Sequence, residues 1–332
     1  MDYDYLYEIC QLKQWKTIPN KELTDDGFPV YGANGIIGYY SEYNHANETL
    51  LLGCRGTCGS VHISKPFSYI NGNALCLDNL LKSYNINFVY YFLKSLDYSK
   101  IISGTGIPQI TQMGLKNVTI PKYSLEKQVE ISNKLCNIDK LIEKNKLLLN
   151  EFENFVKSQF IEMFGNHEKT ELSNIAEIIM GQSPESKSYN DIGEGVPFFQ
   201  GKADYGEKYT IVKHWTTNPT KMARKNSVLM SVRAPVGPVN IANVDCCIGR
   251  GLCSIDSLNG KTNNEFLYNA LKVMESDIAL MGSGSTFKAI NKNDIYNLML
   301  PNAPLDLQNE FSLFAQQIDK SKYFGGVYYG IC

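Results

Sequence analysis

The sequence states one pattern twice, and this limits the chain to folds that can be built from two copies of a unit. "GCRGTCGSV" at residues 53 to 61 and "SVRAPVGPV" at 231 to 239 set Arg55, Gly59 and Val61 in step with Arg233, Gly237 and Val239, 178 positions apart. The same step carries Leu77-Asp78 onto Ile255-Asp256, and Phe88, Tyr90 and Leu93 onto Phe266, Tyr268 and Leu271. A two-residue insertion in a glycine-rich loop, "GSGSTFKAIN" against "SGTGIPQIT", moves the step to 180, and Ile110 and Pro121 then meet Ile290 and Pro301. Upstream, "FPVYGANG" faces "VPFFQGKA" at a step of 168, and Leu6 and Ile9 face Leu172 and Ile175 at 166. Ordered matches separated by small insertions mean a duplicated globular unit.

A length of 332 residues suits two such units better than one core. Within each copy, β-branched and aromatic runs such as "TLLLG", "SVHIS", "SVLMSV" and "PVNIA" alternate with Gly, Pro and Asn, which predicts strands and turns. Residues 85 to 102 and 263 to 280 read as helices opened by Asn85 and Asn263 as caps.

Between the copies, Ser124 to Phe164 contains neither proline nor glycine and predicts one uninterrupted helix capped by Ser124. At 1.5 Å per residue it would reach roughly 60 Å. Ile131, Leu135, Ile138, Ile142, Asn145, Leu149, Phe152, Val156, Gln159 and Met163 alternate steps of four and three, the seam of a coiled coil that needs a partner helix. Asn145 and Gln159 either fix its register or sit at wet edges. "PLDLQNEFSLFAQQIDKSK" (304 to 322) starts a matching helix with Leu307, Phe311, Phe314 and Ile318 on one face. The glycines and absence of charge in "YFGGVYYGIC" are expected to stop it at half length. The expected divisions are therefore 1–122, 123–165, 166–303, 304–322 and a tail, 323–332.

Several classes are set aside. No apolar run has membrane length and "MDYDYLYEIC" lacks a signal-peptide pattern, so a cytoplasmic protein with nine reduced cysteines is expected. Gly260-Lys261-Thr262 lacks the earlier glycine of a phosphate loop, having Ile255 there; the methyltransferase Asp/Asn-Pro-Pro-aromatic motif is missing, and "PESK" (184 to 187) has no upstream strand aspartate of a nuclease. Cys54, Cys58 and His62, and Cys246, Cys247 and Cys253, are spaced suggestively, but Val232 and Val236 replace Cys54 and Cys58 in the second copy, so no metal site is expected. A net charge of −2 gives no broad attraction for nucleic acid.

Copies, strut and motifs together resemble the DNA-specificity subunits of type I restriction-modification systems, over residues 1 to about 322. "FPVYGANGIIGYY" and "CRGTCGSVHIS" look like one class of target recognition domain, and "IAEIIMGQSP", "RAPVG" and "GSGSTFKAIN" like another. The resemblance implies an α+β fold: two tandem target recognition domains joined by long helices that form an antiparallel coiled coil. It implies a chain with no catalytic residue and no cofactor, binding double-stranded DNA, each repeat reading one half of a split, asymmetric site. Its partners would be methyltransferase subunits, two of them, which transfer a methyl group from S-adenosylmethionine to adenine, with a restriction/translocase subunit using ATP and Mg in some systems. The alternatives are a noncatalytic coiled-coil scaffold, or a truncated, inactive rearranged copy, to which the short second helix points.

Base edges are read by side chains with matching donors and acceptors, Arg for guanine, Asn or Gln for adenine. Residues shared by the copies should serve what both do, so Arg55 and Arg233 are expected to hold structure or phosphate. Copy-specific loops should read bases: Tyr31, Asn34 and Thr57 in the first; Gln182, Ser183, Gln200 and Lys202 in the second. The glycine loops, with Gln109 and Thr111, and with Ser283, Ser285, Thr286 and Lys288, either donate to phosphate oxygens or make tight helix-to-strand connections. Ile131, Leu135, Ile138, Ile142, Asn145, Leu149, Phe152 and Val156, with Phe311, Phe314 and Ile318, are the expected surface for helix pairing and methyltransferase docking.

Overall fold

A computed structural model describes residues 2–103, 108–282 and 289–327, with side chains to residue 322. The chain divides into two compact units, Met1–Glu143 and Lys144–Cys332.

In the first unit, Leu50–Gly53 is an inner strand of a four-stranded antiparallel sheet ordered Gln11–Gln14, Ala74–Asp78, Leu50–Gly53, Val61–Ile63. Three leucines in a row fit because both faces are covered and successive side chains point opposite ways. Leu50, Leu52, Leu75 and Leu77 pack with Phe88, Val89 and Leu93 of the helix Ile86–Lys94. Leu51 and Cys76 pack with Tyr31 and Ile70 of a second sheet, ordered Gly35–Tyr40, Phe28–Gly32, Tyr69–Ile70.

The second unit repeats the order with Ala176–Met180, Leu252–Ser257, Val228–Ser231 and Val239–Ile241. Val228, Met230 and Ile255 meet Phe266 and Leu271 on one face; Leu229 and Leu252 meet Phe199 and Ile248 on the other. Its second sheet is larger, with five strands. Single hydrogen bonds recur at the sequence step: the Leu6 N–H donates to Val118 O at 2.9 Å, and the Leu172 N–H to Leu298 O at 2.8 Å. Both helix caps form, with Asn85 Oδ1 accepting from the Phe88 N–H at 3.1 Å and Asn263 Oδ1 from the Phe266 N–H at 2.8 Å.

The strut is a single helix, Leu125–Phe164, capped by Ser124, whose Oγ accepts from the Lys127 N–H at 3.3 Å. Its seam departs from the sequence reading in two ways. The buried line ends on Phe160 (4% exposed) and Phe164 (0%), one position beyond Gln159 and Met163. A strict 3.5-residue repeat drifts by about 20° per heptad on a straight 3.6-residue helix, and over four heptads this approaches the roughly 100° that separate neighbours. Secondly, Ile138 (51% exposed) and Ile142 (41%) face solvent, so within each unit the seam is not covered along its length. In the second unit Phe155 meets Phe314 and Phe160 meets Phe311, with ring centroids 5.4 and 5.3 Å apart, so the two helices run antiparallel there. The second helix spans Leu305–Val327, five residues past its expected stop. Two glycines cost about 1 kcal/mol each in a helix and do not forbid it.

A polar knot that the sequence reading missed fastens each helix to its own unit. Gln128 (1% exposed) donates through Nε2 to Ser83 O and Tyr123 O, both at 2.9 Å, and Oε1 accepts from the Asn85 N–H at 2.8 Å. Gln308 (2% exposed) donates to Lys261 O at 3.2 Å and Ala303 O at 2.9 Å, and accepts from Thr262 Oγ1 at 2.7 Å. Ser132 and Ser312 add bonds to the cap oxygens of Asn85 and Asn263. The signal was in the sequence, as Gln and Ser four apart in both copies at the step of 180.

Candidate nucleic-acid interface

The shared triplet separates into two structural residues and one free one. Gly59 (φ +87°) and Gly237 (φ +106°) turn the chain through the left-handed region, and a Cβ would lie 2.8 Å from the Tyr98 ring or 2.7 Å from Glu275 O. Val61 and Val239 are buried. Arg55 and Arg233 are exposed. Each arginine turn is stitched to the stem of its glycine loop, Arg55 bridging Gln109 and Arg233 bridging Ala289. The Ile110 N–H donates to Cys54 O at 3.0 Å and the Ile290 N–H to Val232 O at 3.1 Å. Ser283, Ser285, Thr286 and Lys288 lie outside the described residues.

The chain contains only four arginines. Arg224 pairs with Asp256 at 3.2 Å and Glu177 at 3.7 Å. Among the described residues Arg55, Arg233 and Arg250 make no ion pair, and loop residues 104–107 and 283–288 contain no carboxylate. An arginine that ties its domain together through a carboxylate is therefore not what Arg55 and Arg233 are.

In the first unit the hairpin tip carrying exposed Asn34 is bound to the arginine turn, because the Ser60 hydroxyl lies between Ala33 O and Thr57 O, within hydrogen-bond reach of both. Asn34, Arg55, exposed Thr57 and Gln109 thus share one edge of the unit. Thr111 is occupied locally, its Oγ1 accepting from the Gly114 N–H at 3.1 Å. Tyr31 is a correction: it is 6% exposed, packs between the two sheets, and its hydroxyl accepts from the Lys65 N–H at 3.1 Å. A strand residue facing inward cannot also present its ring to DNA.

In the second unit the four chosen residues converge. Gln182 is exposed and its N–H donates to Ile248 O at 2.9 Å. Ser183 Oγ accepts from the Arg250 N–H at 3.2 Å. Gln200 is exposed, its backbone tied down by Asp204, which accepts from the Gln200 and Gly201 N–H groups at 2.6 and 3.3 Å. Lys202, exposed, opens the short helical turn Lys202–Asp204. Arg250 stands among them and was missed; its signal is the Gly249-Arg250-Gly251 triplet.

His45, Cys76 and Asp78 bring their ligand atoms within 4.8 Å of one another. They are wired as a hydrogen-bond network: His45 Nδ1 meets Asn44 Oδ1 at 2.6 Å, Nε2 meets Asp78 Oδ1 at 3.0 Å, and Trp15 Nε1 donates to Asp78 Oδ2 at 3.1 Å. Burial pushes the Cys76 thiol far above its ordinary range, which disfavours the thiolate a metal would need. Cys54 is a core residue whose sulfur takes a hydrogen bond from Gln14 Nε2 at 3.0 Å. Among the described residues no helix is long and apolar enough to cross a membrane.

Residues 5–154 and 165–322 each match the family described as "Type I restriction modification DNA specificity domain". The MjaX type I restriction enzyme specificity subunit of Methanocaldococcus jannaschii is 36% identical over 287 residues, spanning 78% of this chain and 68% of that protein. A chain in a solved structure concerning complex assembly and conformational transition of the type I R-M system is 25% identical, covers 98% of this chain and 93% of its own, and superposes with a TM-score of 0.60. The type I restriction-modification S subunit from M. genitalium, at 19% identity, covers 98% of this chain and 91% of its own with a TM-score of 0.61, and shares the fold.

Proposed function

From the premise that this chain belongs to the type I restriction-modification DNA specificity family, and is the DNA-recognising subunit of such a system, we propose that each unit reads one half of a split, asymmetric site. The observation that carries this is the paired edge: the same exposed arginine turn in both units, set among loops that differ between them. Arg55 and Arg233, common to both, hold the DNA backbone. Asn34 and Thr57 in one unit, and Gln182, Ser183, Gln200 and Lys202 in the other, face the bases. Division of labour answers the low net charge, since most DNA affinity comes from phosphate contacts that partner subunits can supply.

Two methyltransferase subunits dock on the spacer helices and carry S-adenosylmethionine, and a restriction subunit, where present, brings ATP and Mg. The chain itself performs no chemistry, and the assembly works in the cytoplasm. Co-expression with the cognate methyltransferase in a methylation-free host, followed by genome-wide mapping of modified adenines, tests the proposal. A split motif with two different halves is expected; an assembled complex that leaves no split motif overturns it. The isolated chain is expected to bind DNA weakly, with affinity falling steeply with salt.

A further inference from the structure

We propose that Arg250 is the guanine-reading residue of the second unit, working beside the backbone-holding Arg233; this rests on the split-site proposal above. Three observations converge on it. The first is register. Ser231 pairs with Leu252, and the Val232 N–H donates to Gly251 O at 2.9 Å; Arg233 and Arg250 are the next residues out from that bond, Arg250 at the corner of a turn closed by the Leu252 N–H on Gly249 O at 3.0 Å. Among the described residues no carboxylate relieves this pair, although Arg224 in the same unit has two. Two unneutralised guanidinium groups at one strand end make a seat for an electron-rich ligand.

The second observation is the flanking geometry. A Cβ at Gly251 would lie 2.3 Å from Gln200 O, and one at Gly249 3.2 Å from Ser183 Oγ. The loops bearing Ser183 and Gln200 therefore close directly on the Gly249-Arg250-Gly251 backbone. Arg250 is the one side chain of the triplet, and it is exposed. Its backbone N–H is spent on Ser183 Oγ, which fixes the base of the side chain, and among the described residues its guanidinium makes no ion pair.

The third is the contrast between copies. In the first unit the step of 178 sets Gly72 where the second has Arg250, in the same turn beside the arginine strand end: Gly53 pairs with Ala74, and the Cys54 N–H donates to Asn73 O at 3.0 Å. One arginine is common to the copies and the other belongs to the second alone. A common group suits what both halves share, the phosphate backbone, whereas a copy-specific planar fork suits one half-site. Paired donors of a guanidinium match O6 and N7 of guanine.

The test is to map modified adenines made by the complex with its methyltransferase, comparing the native chain, Arg250→Ala, Arg250→Lys and Arg233→Ala. The native complex is expected to give a split motif. Arg250→Ala should lose about tenfold or more in preference for guanine at one position of one half, with the other half unchanged. Arg250→Lys should not restore it, because an ammonium cannot make the two-pronged contact. Arg233→Ala should lower modification of all sites evenly and leave the motif intact. A native motif left unaltered by Arg250→Ala, or merely modified less everywhere, overturns the role of Arg250 alone; a native complex without any split motif overturns both proposals.

Discussion

Gln128 and Gln308 are buried polar side chains whose loss strands several partners at once. Replacing Gln128 by Ala leaves the Asn85 N–H and two carbonyls without their partner in a dry contact. The expected cost is about 3 kcal/mol, read as a lower denaturation midpoint of the first unit, with the same for Gln308→Ala in the second. His62 supplies a pH dependence. Its Nε2 is buried without a hydrogen-bond partner among the described residues, and burial holds its pKa below the ordinary 6.5. Above that value both folded and unfolded chains carry it neutral and it has no effect. As pH falls through 6.5 the unfolded chain takes up a proton that the folded one resists, so stability is lost toward the lower, folded-state pKa. Thermal unfolding of the native protein between pH 7 and 5.5 should therefore fall more steeply than that of His62→Phe. An equal slope in the two proteins would show that this histidine does not contribute.

At the scale of elements, the contact between the two long helices in the second unit is aromatic. Phe311, fully buried, touches Phe160, Phe164 and Phe314. Phe311→Ala should cost about 4 kcal/mol and detach the second helix from its partner, visible as early hydrogen exchange across Leu305–Val327. Asn145 lies on the seam with a buried amide nitrogen that has no hydrogen-bond partner among the described residues. Asn145→Leu should raise stability by about 1 kcal/mol in urea denaturation, because it removes an unpaired donor. The knots, caps and aromatic contacts hold the ends of the strut, while Ile138 and Ile142 between them stay exposed.

For the whole molecule, the proposed division into two readers and a spacer predicts that they vary independently. Inserting four residues, about one helical turn, in the exposed stretch around Leu147 and Leu148 adds roughly 6 Å of helix. That corresponds to about two base pairs at roughly 3.4 Å each. The modified motif is expected to keep both halves and gain unspecified positions between them. A change in either half would mean that helix and readers are not separable.

The sequence by itself determined the duplication, the strand-rich units, the capped helices and the uninterrupted strut, because each depends on periodicity, punctuation or residues a few positions apart. Even Gln128 and Ser132 were legible once aligned with Gln308 and Ser312. Tertiary structure alone decided which exposed-looking residues are free. Tyr31 resembled a loop reader, yet its strand turns it inward against the second sheet. Phe160 and Phe164 replace their seam neighbours because a straight helix drifts out of a heptad. Arg250 looked like one more loop residue until the pairing of Ser231 with Leu252 brought its turn beside the Arg233 end of a strand 17 residues distant in sequence. Sequence patterns report the local geometry of one chain segment, whereas burial and opposition belong to pairs of segments, and only folding brings those pairs together.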